Sequence, residues 1–135
     1  MALTHLLDTN IVSYFVRGNY PAVREHIASA PLDSLAVSAV TEAELLFWVL
    51  CRPRSIRTRV GVEDFLVRVP SLPWDTGAAQ NYARMRDTLK RKGVVLSTTD
   101  LMIAAHAVAF GLPLVTHDSV FAFVDGLKTE DWTVG

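Results

Sequence analysis

Two aspartates stand where short apolar runs give way to polar residues: Asp8 follows Leu3-Thr-His-Leu-Leu7, and Asp118 follows Leu112-Pro-Leu-Val-Thr-His117. If those runs are parallel strands, both carboxylates lie just beyond strand C-termini, the edge at which open sheets form sites. A third, Asp100, heads the apolar stretch Leu101–Phe110, and Glu42 and Glu44 interrupt the apolar stretch Ala39–Leu50. Packing alone gives little reason for acids at these places. Carboxylates drawn together without a cation repel one another and pay for desolvation, so a convergent set implies a bound metal. Oxygen ligands alone, with no Cys cluster and no HExxH-type pair, favour Mg²⁺ or Mn²⁺ over zinc. Such an ion acidifies a bound water and neutralises charge developing on a phosphate.

Each acid has a structural alternative. Asp8, Asp100 and Asp118 are all of a type that caps helices or turns. Glu42 and Glu44 point some 160° apart at about 100° per helical residue, so both cannot face one site, and periodicity leaves the choice open. The hydroxyls of Ser38, Thr98 and Thr116 suit either a cap or the orientation of water or phosphate. His106, on an apolar helix, reads as a hydrogen-bonded core residue; His117 turns away from its neighbours if the strand runs through it. His5 and His26 belong to no pattern. The absence of GxSxG, P-loop and GxGxxG removes the usual serine hydrolase, nucleoside triphosphatase and dinucleotide signals.

The elements that must position these groups alternate along the chain. Residues 3–7 predict a strand, followed by a helix begun at Asp8-Thr9-Asn10. A helix over 20–29 opens with Pro21, and 35–38 form a strand. The stretch 39–50 predicts a buried helix closed by Pro53, and 55–68 a helix with a basic face. A short edge strand lies within 69–74, weakened by Pro70 and Pro73. Asp75 or Thr76 then caps a long helix that Gly93 stops, and a buried helix over 101–110 ends at Gly111 before a strand over 112–116. Strands alternating with helices make an α/β fold of three layers around a central, mostly parallel sheet. The 135 residues, half of them hydrophobic, suit one domain spanning 1–135. A single cysteine excludes an internal disulfide framework. The opening residues lack the basic region of a signal peptide, and no apolar run approaches the roughly 18 residues of a membrane span. The expectation is a cytoplasmic protein with no membrane partner.

The net charge of −1 conceals a division. Between Arg52 and Lys92 ten basic residues face four acids, a segment charge of +6, and the remainder carries −7. A basic middle attracts a phosphate backbone and an acidic remainder attracts cations. Arg52–Arg59 and Arg84–Lys92, with Arg84 and Arg86 at the head of the second block, are the candidate substrate-binding cations; solvated helix faces are the alternative.

Five segments, in order over almost the whole chain, resemble the PIN-domain ribonucleases and, within them, the VapC-type toxins of toxin–antitoxin pairs. They are Leu6-Leu-Asp-Thr-Asn-Ile11, Val37-Ser-Ala-Val-Thr-Glu-Ala-Glu-Leu45, Asp100-Leu-Met-Ile-Ala-Ala-His-Ala107, Leu114-Val-Thr-His-Asp118 with Phe121, and Gly126-Leu-Lys-Thr-Glu-Asp-Trp132. The family's V-T-x-x-E-L pattern falls on Val40-Thr41 and Glu44-Leu45, which selects Glu44 over Glu42. The resemblance implies a PIN-like fold and an endoribonuclease with Asp8, Glu44, Asp100 and Asp118 as catalytic acids. Asp8, Asp100 and Asp118 would hold Mg²⁺ or Mn²⁺, with Thr116 beside them. It further implies an RNA substrate, a homodimer and a cognate VapB-type antitoxin. Phe15, Phe47, Trp48 and Phe65 exceed what one small core hides, which is compatible with such partners. Two departures stand out: Val95-Leu-Ser-Thr-Thr99 replaces a Gly-rich approach to the third acid, and Trp48 or Val49 occupies the place of a frequent Gly. Neither removes a ligand. The competing reading is a catalytically inactive PIN-like binding protein; a phosphoacceptor module is disfavoured, since Asp8 lacks an acidic neighbour and no lysine lies between Lys92 and Lys128.

Overall fold

The computed structural model describes residues 2–31 and 33–134. Five short strands, β1 (His5–Leu7), β2 (Leu35–Ser38), β3 (Ser71–Leu72), β4 (Leu114–Val115) and β5 (Thr129–Glu130), form one sheet in the order β3-β2-β1-β4-β5. Every pairing is parallel. Six helices connect them: α1 (Thr9–Arg17), α2 (Pro21–Ser29), α3 (Ala39–Cys51), α4 (Ile56–Arg68), α5 (Thr76–Lys92) and α6 (Thr98–Phe110). A 3₁₀ turn, Ser119–Phe123, follows β4.

The two-residue period of the strands sorts the core into two halves. Leu7, Leu35, Val37 and Val115 point to a cluster with Ile11 and Val12 of α1, Val23 of α2, Leu45 of α3, and Val62 and Phe65 of α4. Leu6, Ala36 and Leu114 point the opposite way, to Leu89 of α5 and Leu101, Ile103, Ala104 and Ala107 of α6. Helices α1–α4 thus cover one face and α5–α6 the other, the expected three layers. Helix boundaries follow side-chain caps: Asp8 accepts from Thr9 N, Ser38 from Val40 N, Asp75 from Ala78 N and Ser97 from Asp100 N. Gly93 ends α5 at φ +73°, in the left-handed region where a side chain is strained. Gly61 has another reason: a Cβ there would stand 2.7 Å from Val16 Cγ1, so α4 rests directly on α1.

Three readings need revision. The helix over 39–50 is not buried: only Thr41 and Leu45 are, while Leu46, Phe47 (66% exposed) and Leu50 (76%) face outward. Its apolar composition exceeds the single stripe that meets α1 and the sheet. Helix α6 begins at Thr98 with Ser97 as its cap, so Asp100 lies inside the first turn. The C-terminal segment adds a fifth strand, too short and polar to read as one, that completes the sheet beyond β4.

Candidate active site

The chain runs outward from β1 to β2 and β3, then returns across β1 to β4. The β1/β4 boundary is therefore the switch point of the sheet, where loops diverge and leave a crevice. Asp8 leaves β1 there and Thr116 leaves β4, locked in register by Asp8 N donating to the Val115 carbonyl at 2.9 Å. Asp8 is only 3% exposed. Its Oδ1 accepts from Thr9 N at 2.8 Å and its Oδ2 from the Thr116 hydroxyl at 2.9 Å. Both carboxylate oxygens are thus oriented, one by the next residue in the chain and the other by the neighbouring strand.

Helix α3 presents Glu44 one turn after the buried Thr41. The Thr9 hydroxyl lies 3.0 Å from Thr41 Oγ1 and donates to Glu44 Oε1 at 2.6 Å. A single residue, Thr9, therefore ties Asp8 by its amide to Glu44 by its side chain. Glu42 points elsewhere and accepts from Ser71 at 2.9 Å, so of the two glutamates Glu44 is the one tied to Thr9. Asp100 is half-buried in the first turn of α6, and Asp118, exposed, caps the 3₁₀ turn by accepting from Val120 N at 3.0 Å. Asp118 N in turn donates to Thr116 Oγ1 at 3.1 Å.

Asp8 and Asp100 are each raised, and other acids of the set contribute to both shifts. Burial pushes Asp8 up to about 7, and the charges of Asp100 and Glu44 add to the shift against the hydrogen bonds from Thr116 and Thr9. Burial likewise raises Asp100, with contributions from Asp118 and Glu44. No cationic side chain enters either balance. Among the described residues, no three His, Cys, Asp or Glu side chains stand close enough as oriented to cage one ion. The acids face a common edge without forming a closed cage. The donor set, carboxylates and hydroxyls only, fits a hard divalent cation, and a buried carboxylate displaced to about 7 is the group that such a charge relieves most.

The other candidates are dispersed. Thr116 is buried with its hydroxyl committed to Asp8, so it positions the acid. Ser38 caps α3 and meets His106 Nδ1 at 2.7 Å inside the core, which makes both structural. His117 turns outward to Asp131 and Thr133. Arg86 lines a groove with Lys90 and Thr98 that reaches the first turn of α6, whereas Arg84 lines a different one with Val108 and Asp125. Thr9 is the residue that sequence reasoning missed; a hydroxyl directly after a strand-end acid, at the first position of a helix, was its only signal.

Positions 5–127 match the family model described as PIN domain. The chain is 33% identical over 132 residues to the tRNA(fMet)-specific endonuclease VapC of Shigella flexneri, covering 97% of this chain and 99% of the relative. It is 29% identical to the ribonuclease VapC1 of Haemophilus influenzae strain R2866, over 97% and 99% of the two chains. Among solved structures, VapBC2 from Rickettsia felis bound to a DNA fragment from its promoter superposes with a TM-score of 0.86 at 26% identity, over 98% and 99%. DNA-bound VapBC from Salmonella typhimurium gives 0.85 at 30%, over 96% and 98%.

Proposed function

The chain belongs to the PIN-domain family, among its VapC-type ribonucleases, and from that premise we propose that it cleaves RNA with Mg²⁺ or Mn²⁺ as the toxin of a toxin–antitoxin pair. The observation that carries this reading is Asp8, buried at the switch point, oriented through both oxygens, and loaded by Asp100 and Glu44 with no cationic side chain among the described residues to answer them. Asp8, Asp100 and Asp118 would hold the ion. When bound, it supplies a water of lowered pKa and offsets charge on the scissile phosphate. Thr116 and the Thr9 amide keep the Asp8 oxygens facing the crevice. The Thr9 hydroxyl fixes one oxygen of Glu44, leaving the other to hold and align a water. Arg86, whose groove reaches Thr98, steadies the RNA backbone on the α6 side; Arg84 contributes more weakly from its separate groove.

Because curated relatives are named for the initiator tRNA, that tRNA is the first substrate to try. Incubation with Mn²⁺ should give discrete fragments that EDTA prevents, and mapping RNA ends after expression of the native chain and of Asp8→Asn should show the cuts only with the former. Intact RNA in both would leave the inactive binding protein. The antitoxin and a second copy of the chain have apolar surface available: Phe47 and Leu50 of α3 and Ile56 and Val60 of α4 are all exposed. Light scattering alone and with the co-expressed antitoxin tests both associations. Among the described residues no helix is long and apolar enough to cross a membrane.

A further inference from the structure

Two adjoining grooves share Arg17 and Trp48. The first, about 270 Å³, includes Thr9, Ser13 and Glu44; the second, about 310 Å³, includes Asn19, Arg52 and Arg57. Together they make one channel running from the candidate site between α1 and α3 to the start of α4. Its lining holds three arginines and a single acid, Glu44, at the catalytic end. Elsewhere in the basic middle, half of the cations are paired, Arg59 with Glu63, Arg68 with Asp64, Arg91 with Asp87 and Lys92 with Asp125. Arg54, Arg84, Arg86 and Lys90 are not paired among the described residues, so what sets the channel arginines apart is their convergence on one groove beside Glu44. Arg17, Arg52 and Arg57 have no carboxylate partner among the described residues.

Two of the three are held in place without being discharged. The Arg17 guanidinium lies 5.6 Å from the centre of the Trp48 ring and donates to Ser13 Oγ at 3.2 Å. Arg57 donates to the Arg17 carbonyl at 2.9 Å, where the approach of Gly61 to Val16 brings α4 against α1. An aromatic face and a backbone carbonyl fix the direction of a cation and leave its charge for an outside anion. A guanidinium fork suits phosphate, and an indole face suits an unstacked base.

Resting on the ribonuclease reading, we propose that this channel carries the RNA strand away from the cut, with Arg17, Arg52 and Arg57 meeting its phosphates and Trp48 setting the position of Arg17. Sequence alone offered two basic blocks, singled out Arg84 and Arg86 in the second, and left Arg17, which lies outside both, unnoticed. The channel opens at Glu44 and Thr9, and Thr9 donates its amide to Asp8 and its hydroxyl to Glu44, so a strand lying in it passes beside the acids.

The test uses the Asp8→Asn protein, which binds without turnover, and an unstructured oligoribonucleotide of mixed sequence titrated over a range of KCl. Removing one cation that neutralises a phosphate of a single strand lowers the slope of log K against log salt by about 0.7. Adding Arg17→Gln, Arg52→Gln and Arg57→Gln should therefore lower the slope by about 2. Arg68→Gln, Arg91→Gln and Lys128→Gln remove the same charge elsewhere and should leave it unchanged. Should the triple variant fail to fold, Arg52→Gln alone, whose side chain makes no hydrogen bond among the described residues, should still lower the slope by about 0.7. Equal slopes in the two triple variants overturn the channel, as does unchanged RNA binding together with failure to hold the co-expressed protein partner, which would assign the groove to a protein. If the Asp8→Asn parent itself binds no RNA, the ribonuclease reading falls with the channel; if it binds and the channel variant matches it, the channel alone falls.

Discussion

Two groups of acids, one at the β1/β4 boundary and one around the neighbouring β5, behave in opposite ways. At the β1/β4 switch point, Asp8 and Asp100 are held above the ordinary carboxylate range, chiefly by burial and further by their acidic neighbours. Around β5, Glu130 is held below it by hydrogen bonds from Trp132 and His5, although burial opposes them. Asp131 is also low: burial works against it, and the bonds from Thr133 and His117 prevail. The second group has a visible structural task. Glu130 takes the Trp132 indole at 3.1 Å and His5 at 3.0 Å, while His26 stacks on Trp132 with centroids 4.9 Å apart, so these residues fasten the last strand to β1 and α2. At the acids that serve the fold the hydrogen bonds outweigh burial, whereas at the switch point burial outweighs them, so Asp8 and Asp100 make the fold less stable and a positive charge from outside would relieve them.

The sharpest way to break this contrast is Asp8→Asn. Turnover should fall by about three orders of magnitude in a fluorogenic RNA assay, within the range for losing a principal catalytic group, while circular dichroism shows the fold retained. Activity above a tenth of the native value would remove Asp8 from the site. The same change should stabilise the ion-free protein at neutral pH. An acid whose folded pKa is raised binds its proton more tightly in the native state, so stability is complete below the ordinary value of 3.8 and is lost as pH rises through about 7. At about 1.4 kcal/mol per unit, the loss has a ceiling of about 4 kcal/mol. Denaturant midpoints between pH 4 and 8 should fall for the native chain and fall less for Asp8→Asn, in which only the raised Asp100 remains.

Mn²⁺ at a hundredfold excess over its dissociation constant should restore about 2.7 kcal/mol at pH 7.5, read as a rise in melting temperature that Asp8→Asn does not show. Thr116→Val should weaken ion affinity by about ten- to a hundredfold, the usual cost of losing a group that orients a ligand, and should shift the rise in activity with pH upward, as a merely structural defect would not. The smallest effect belongs to the paired acids. Glu130 lies low and is largely exposed, so its contribution is present above the ordinary value of 4.5 and is lost as pH falls; Glu130→Gln should flatten that acid arm by under about 1 kcal/mol.

Much of this arrangement was legible beforehand because it depends on local chemistry. Asp8, Ser38 and Asp75 cap helices from fixed positions beside a strand end or a proline, and Gly93 and Gly111 stop them; such signals lie within a few residues of what they control. The strand-end placement of Asp8 and Asp118 followed from short apolar runs. Helices α3 and α6 mark the limit. Their sequences are similarly apolar, yet Ile103 to Ala107 are buried beneath α5 and the sheet, while Phe47 and Leu50 face outward. Composition records how much apolar surface a segment has, and neighbours distant in the chain decide how much of it is covered.

The sequence by itself determined the alternation of elements, the identity of the four acids and the excess of arginine near the middle. The tertiary structure alone decided that Thr9 links Asp8 to Glu44, that Glu42 turns instead to Ser71, and that Arg17 and Arg57 share one groove. Capping and strand periodicity act over a few residues, so they can be read locally. Which carboxylates share a field, and which cations escape neutralisation, depend on the distances of closest approach between segments that only the assembled sheet and its two helical layers bring together.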